Sequence, residues 1–272
     1  MKRLVLIGLV VASFIPCRAV SQQVQYAEVN GTTLAYRAVG QGQPLLLLHG
    51  FGESGRVWDP LLEALSEHYR LIVPDLRGHG SSARLTGEFT HREAATDMLE
   101  LLDELGIGSS RAVGFSTGAM TLLHVATTAP TRLSAMVLVG GAPYLPRSAR
   151  EIMRGMDPEG IPMIQLEQQG LVHGDTARAR QLLRQFVGFQ DSYTDVSFTP
   201  PFLSSIEVPT LVVHGDRDPF FPITIATELH EAMPESFLLV FPNLGHQPFP
   251  SEAAARDYFV HSVLSFFDGA WF

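Results

Sequence analysis

The chain has 272 residues, a formal net charge of −9, and 46% hydrophobic against 17% charged residues. That is enough chain for a sizeable core and the composition of a soluble globular protein, while the acidic balance argues against nucleic acid or an anionic membrane as partner. Lys2 is its only lysine, so once the N-terminal segment is removed no amine side chain remains for Schiff-base chemistry or a P-loop.

Lys2 and Arg3 precede the apolar run Leu4 to Ile15, followed by Pro16, Cys17 and Ala19. This pattern predicts a secretory signal peptide over residues 1–20 and a periplasmic or secreted product. The run falls short of the roughly 20 apolar residues that a spanning helix requires, so no permanent membrane span is expected. Cleavage near Ala19 takes away Lys2, Arg3 and Arg18 and moves the net charge from −9 to −12. Cys17 is the only cysteine; a mature chain would have no disulfide. Lipidation of Cys17 is the weaker reading, because Phe14-Ile15-Pro16 stands where lipoprotein signals carry small residues.

Residues 26 to 39 alternate about the turn Asn30-Gly31, which predicts a hairpin. Continuous apolar runs then recur at Pro44 to Leu48, Leu71 to Val73, Ala112-Val113, Met136 to Val139, Leu211 to Val213 and Phe237 to Val240, as in parallel strands buried on both faces. Helical spacing intervenes at about 61–68, 92–106, 117–129, 223–232 and 251–267. The alternation predicts a single α/β domain over 21–272 with a mostly parallel sheet. Residues 142–207 separate two strands by more than one helix needs. They are expected to form an inserted cap on a core of 21–141 and 208–272. Helical patterns occur within it near 147–155 and 175–188. Of Met153, Met156, Met163, Phe186, Phe189, Tyr193, Phe198 and Phe202, most should pack the cap and a few should face a cleft.

Gly114-Phe115-Ser116-Thr117-Gly118 follows a strand and opens a helix, the context of a nucleophile elbow. The flanking glycines leave room where any Cβ would collide with so tight a turn. A serine hydroxyl needs a base, and that base needs an orienting acid. Asp216 and Asp218 follow the fifth apolar run and His246 follows the sixth, so nucleophile, acid and base come in the order Ser, Asp, His. Each stands past the C-terminal end of a strand, where open parallel sheets place their chemistry. His49, His79, His124 and His214 are expected to be structural. No histidine–carboxylate cluster has metal-ligand spacing.

With these motifs, His49-Gly50-Phe51-Gly52 and Asp75-Leu76-Arg77-Gly78-His79-Gly80-Ser81, the chain resembles the α/β-hydrolase superfamily, in its capped serine esterase, haloperoxidase and carbon–carbon hydrolase branches. The resemblance implies eight strands, the first two antiparallel, with the cap after the sixth, and no cofactor. It implies Ser116 as nucleophile, His246 as base and Asp218, separated from Gly215 by two residues, as the acid in preference to Asp216. The backbone N–H groups of Phe51 and Thr117 would form the oxyanion hole. Ala119 stands where many relatives have glycine, a methyl group that should be tolerated. Gly50-Phe51-Gly52-Glu53 lacks the Gly-Gly-Pro of aminopeptidase relatives, which argues against peptidase activity. The expected activity is hydrolysis of a small to medium, mostly apolar carboxylic ester. A diketone or lactone substrate for the same triad is the alternative, and a non-catalytic binding protein on this fold a remote one.

Overall fold

The computed structural model describes residues 23–271; the signal-peptide expectation for residues 1–20 lies outside them. Strands β1 (Gln25–Val29) and β2 (Thr32–Val39) pair antiparallel. Their turn puts Asn30 at φ 43° and Gly31 at φ 71°, left-handed values that an Asn-Gly pair adopts at little cost. In chain order there follow β3 (Pro44–Leu48), α1 (Asp59–Ser66), β4 (Arg70–Pro74), α2 (His91–Glu104), β5 (Ser110–Phe115), α3 (Thr117–Thr128) and β6 (Leu133–Val139). Beyond β6 lie α4 (Arg147–Arg154), α5 (Met163–His173), α6 (Thr176–Gly188), α7 (Pro200–Leu203), β7 (Thr210–Gly215), α8 (Ile223–Ala232), β8 (Ser236–Phe241) and α9 (Ala253–Phe267).

The eight strands form one sheet in the order β1-β2-β4-β3-β5-β6-β7-β8. β2 meets β4 antiparallel, and from β4 to β8 every pairing is parallel. The apolar runs acquire their meaning here. In β3, Leu45 and Leu47 face a core built with α1 and α9, whereas Leu46 and Leu48 face a second core built with α2, α3 and α8. A strand so buried must be apolar at every position, which removes the alternation of a half-exposed strand.

Between β6 and β7 stand the helices α4 to α7. α4 and α6 coincide with the helical patterns expected there; α5 and α7 carried no such expectation. The neck is closed by an antiparallel bridge between Tyr144 and Ser197 and by the Phe198 N–H donating to the Pro143 carbonyl at 2.8 Å. Met153, Phe189 and Phe198 are buried, while Met163, Tyr193 and Phe202 are exposed.

Candidate active site

The turn from β5 into α3 is tight enough to dictate its sequence. Ser116 sits at φ 51°, ψ −111°, a left-handed φ that a non-glycine residue adopts under strain. A Cβ on Gly114 would stand 2.5 Å from the Gly118 backbone, and one on Gly118 would stand 2.4 Å from the Leu48 carbonyl, so both positions require glycine. Ala119 is accommodated from the other side: a Cβ on Gly141 would come within 2.8 Å of the Ala119 methyl, and it is the glycine at 141 that makes room. A serine at this helix position ordinarily caps the first turn. Ser116 makes no such bond; its Oγ lies 2.9 Å from His246 Nε2.

His246, in the loop after β8, places its other ring nitrogen, Nδ1, 2.6 Å from Asp218 Oδ2. The remaining Asp218 oxygen accepts from the N–H groups of Phe220 at 2.8 Å and Phe221 at 3.0 Å. The carboxylate therefore has a full set of donors and one orientation. Around the imidazole stand the rings of Phe115, Phe220 and Phe221, with centroids 5.0, 5.0 and 5.2 Å from it. This apolar sleeve lowers the local dielectric around the hydrogen-bonded chain from Asp218 to Ser116 and so strengthens its electrostatics. Asp216 is exposed and pairs loosely with Arg217 at 4.0 Å; of the two acids in this loop, Asp218 is the one brought to His246.

Phe51 and Thr117 line the same cavity as Ser116 and His246, a space of about 200 Å³. Thr117 is the first residue of α3, so its N–H belongs to the unpaired, positively polarised helix end that stabilises an anion. Phe51 belongs to a loop held by histidine. His49 Nδ1 bonds the Gly50 carbonyl at 2.7 Å, and its Nε2 accepts from the Leu76 N–H at 2.9 Å. Since Nε2 accepts there, His49 is neutral and carries its proton on Nδ1. Burial lowers its pKa, against the pull of Asp75. His79 is also fully buried, bonded to the Arg77 carbonyl at 2.9 Å, and burial and His49 push it well below the usual histidine value. Both are architecture.

His214 bonds the Phe221 carbonyl at 2.8 Å and lies 4.0 Å from Asp218, steadying the acid loop. His124 bonds the Asp195 carbonyl at 2.7 Å, far along α3 from Ser116. Among the described residues no group of three His, Cys, Asp or Glu side chains is placed to hold a metal ion.

Three features of the site were not anticipated. Glu53 lines the cavity and accepts from the Gly50 N–H at 3.1 Å; burial raises its pKa, partly opposed by that bond and by His246. The Gly-Phe-Gly-Glu stretch contains it, but nothing in the spacing says that a glutamate three residues on folds back over its own loop. His173, at the end of α5, bonds the Gly52 carbonyl at 3.1 Å through Nε2 and accepts from the Gly80 N–H at 3.0 Å through Nδ1. It ties the cap to the loop of Gly50 to Glu53, and burial lowers it to about 4. Arg178, on α6, donates to the carbonyls of Gly78 at 2.9 Å and His79 at 3.1 Å and to that of Ser82. Neither residue belongs to a motif; each answers carbonyls and amides that the loop after β3 and the turn after β4 present only once folded.

The family model described as alpha/beta hydrolase fold matches residues 43–164, and that described as TAP-like protein matches residues 193–264. The pimeloyl-[acyl-carrier protein] methyl ester esterase of Vibrio vulnificus is 29% identical over 262 residues, 86% of this chain and 98% of that one. Among solved structures, a hydrolase from Pseudomonas aeruginosa superposes with a TM-score of 0.73 at 24% identity, over 91% of this chain and 99% of the other. An esterase from Rhodococcus sp. gives 0.72 at 23%, over 90% and 98%. At such identities the solved structures speak for the fold alone, and the fold is the one described above. Sheet order, elbow and sequence matches converge: the chain belongs to the α/β-hydrolase superfamily and is a hydrolase.

Proposed function

We propose that the chain is a serine esterase that cleaves small to medium carboxylic esters through an acyl-enzyme on Ser116. In this reading His246 Nε2 takes the hydroxyl proton as Oγ attacks the carbonyl, and Asp218 holds the imidazolium that results. The N–H groups of Phe51 and Thr117 receive the charge that develops on the carbonyl oxygen; each such donor is typically worth about 100- to 1000-fold in turnover. The proton passes from His246 to the departing alkoxide, and a water activated by the same imidazole releases the acid. The observation that carries the reading is the continuous chain from Asp218 Oδ2 to His246 to Ser116 Oγ, at 2.6 and 2.9 Å, opening on a small, largely apolar cavity. An ester rather than a diketone is favoured by the methyl ester esterase at 29% identity.

Replacing Ser116 with Ala tests it. The variant should fold as the wild type does and lose about 10,000-fold or more of the hydrolysis of p-nitrophenyl butyrate; equal rates would overturn the proposal. We further propose that the enzyme works outside the cytoplasm, on the strength of Lys2, Arg3 and the apolar run to Ile15. The mass of the protein recovered from the expressing cells should then show the loss of about the first 20 residues, the usual length of such a signal; an intact N-terminus would contradict export.

A further inference from the structure

The cavity that contains Ser116 is also lined by a buried histidine that the triad does not use. His91, the first residue of α2, is 1% exposed and borders this space. Its Nδ1 lies 2.6 Å from Asp195 Oδ2, whereas Nε2, buried as well, has no hydrogen-bond partner among the described residues. The other histidine of the cavity, His246, has both nitrogens engaged, by Asp218 and Ser116. The rings beside His91 are apolar: Phe89 stands edge-on at 5.5 Å between centroids and Phe189 tilted at 5.3 Å. Met120, Leu145 and Met153 continue the wall.

The cap decides how this ring stands and which nitrogen holds its proton. Asp195, in the cap segment between α6 and α7, accepts from the N–H groups of His91 at 2.9 Å and Arg92 at 3.3 Å as well as from the ring. Its own carbonyl is held by His124 at 2.7 Å. Burial pushes the Asp195 carboxyl up, and the bonds from His91 and Arg92 outweigh it and hold the group below the ordinary aspartate value. A carboxylate cannot donate, so the proton of this bond belongs to Nδ1, and the neutral imidazole has its lone pair on Nε2. A buried acceptor without a donor is destabilising. A substrate that brings a donor relieves this, and an apolar substrate of the same shape leaves it in place.

Resting on the esterase reading, we propose that His91 is a specificity residue of this cavity, whose Nε2 accepts a hydrogen bond from a hydroxyl carried by the ester. Hydroxy esters are then taken in preference to apolar esters of the same shape. In a cavity of about 200 Å³ a hydroxyl a few bonds from the carbonyl reaches the wall from either side of the ester, and two pairs of substrates separate the sides. On the acyl side, methyl β-hydroxybutyrate is compared with methyl isovalerate, in which a methyl group replaces the hydroxyl. On the alcohol side, ethylene glycol monobutyrate is compared with propyl butyrate. In the wild type the hydroxy ester of at least one pair should exceed its isostere by about tenfold in kcat/KM. His91→Asn keeps a donor for Asp195 at the place of Nδ1 and has nothing at the place of Nε2; it should lower that ratio by about tenfold, the order of one hydrogen bond. His91→Gln, whose amide oxygen reaches the place of Nε2, should retain more of the ratio, which a role confined to packing α2 against the cap does not give. The inductive pull of the hydroxyl is common to all the enzymes, so the change in ratio isolates the contact. Wild-type ratios near one in both pairs, or a ratio that His91→Asn leaves unmoved, would overturn the proposal; the wild-type ratios decide it if the variants do not fold. Failure of the wild type to cleave propyl butyrate and p-nitrophenyl butyrate alike would instead overturn the esterase reading beneath it.

Discussion

The sheet edge and the cap hold their residues by different means. At the edge, backbone geometry does the work: Ser116 is fixed at φ 51° between glycines that leave no room for a Cβ, and Asp218 is fixed by the amides of Phe220 and Phe221. The cap is held by side chains reaching across to the core. His173 bridges Gly52 and Gly80, Arg178 grips the turn at Gly78 to Ser82, and Asp195 accepts from the N–H and ring of His91 at 2.9 and 2.6 Å. Backbone-held positions tolerate almost no substitution, because a clash with main chain cannot be relieved by a rotamer change. Side-chain-held positions can be exchanged for others that make the same bonds. The groups we propose to react, Ser116, His246 and Asp218, stand on the backbone-held part, and cap residues such as Met153, Phe186 and Phe189, which line the cavity beside Ser116, stand on the exchangeable one.

If that contrast is right, its largest expression is at the acid loop. Asp218→Asn should lower kcat toward p-nitrophenyl butyrate by about 1000- to 10,000-fold, since the imidazolium loses its counter-charge and the ring its tautomer, while Asp216→Asn, two residues away, should stay within about twofold of wild type, as an exposed pair contributes little. Comparable losses in both would erase the assignment of the acid.

The same substitution placed in the two regions gives the next effect. Gly118→Ala drives a Cβ to 2.4 Å from the Leu48 carbonyl and should cost about 3 kcal/mol in urea denaturation. Gly188→Ala, at the end of α6 with nothing within 4 Å of the added Cβ, should be neutral or stabilising by up to about 1 kcal/mol. A neutral Gly118→Ala would show that the elbow is held less tightly than its geometry states.

His173 gives the smallest effect and the most diagnostic of the cap. His173→Ala should lower kcat about tenfold with KM little changed, because the Gly50–Glu53 loop that carries the proposed oxyanion donor Phe51 loses its tie to α5; His173→Gln, whose amide can donate to Gly52 and accept from Gly80, should restore most of it. The residue also has a pH signature. Its folded pKa of about 4 lies below the ordinary histidine value of 6.5, so between these pH values the unfolded chain binds more protons than the folded one. Its contribution to stability is complete above about pH 6.5 and is lost as pH falls toward 4. The melting temperature of the wild type should decline over that window more steeply than that of His173→Gln. Identical slopes would remove His173 from the acid response and leave it to the other buried histidines.

The same division explains what could be read from the chain. Buried strands announce themselves as apolar runs, the elbow needs its glycines, and Asp218 and His246 follow strand ends by a few residues, so all of these are local patterns. Helix α5 is not. Its buried positions are Leu166, Gly170 and His173, of which only the leucine looks like core, while Met163, Ile164 and Leu171 are exposed; apolar periodicity points at the wrong face. Glu53, His173 and Arg178 act on main-chain groups as many as 121 residues away in sequence, and no spacing rule encodes a partner that only folding supplies. Phe51 was anticipated for its N–H; that its ring meets those of Phe186 and Phe189 follows only from where the cap settles.

The central claim is that Ser116 is a nucleophile activated by His246. Treatment with a fluorophosphonate probe followed by peptide mass spectrometry tests it most directly. One adduct per chain is expected, on Ser116, formed at a rate that falls steeply in His246→Ala. An enzyme that hydrolyses p-nitrophenyl butyrate yet carries its adduct on another residue, or none, would contradict it.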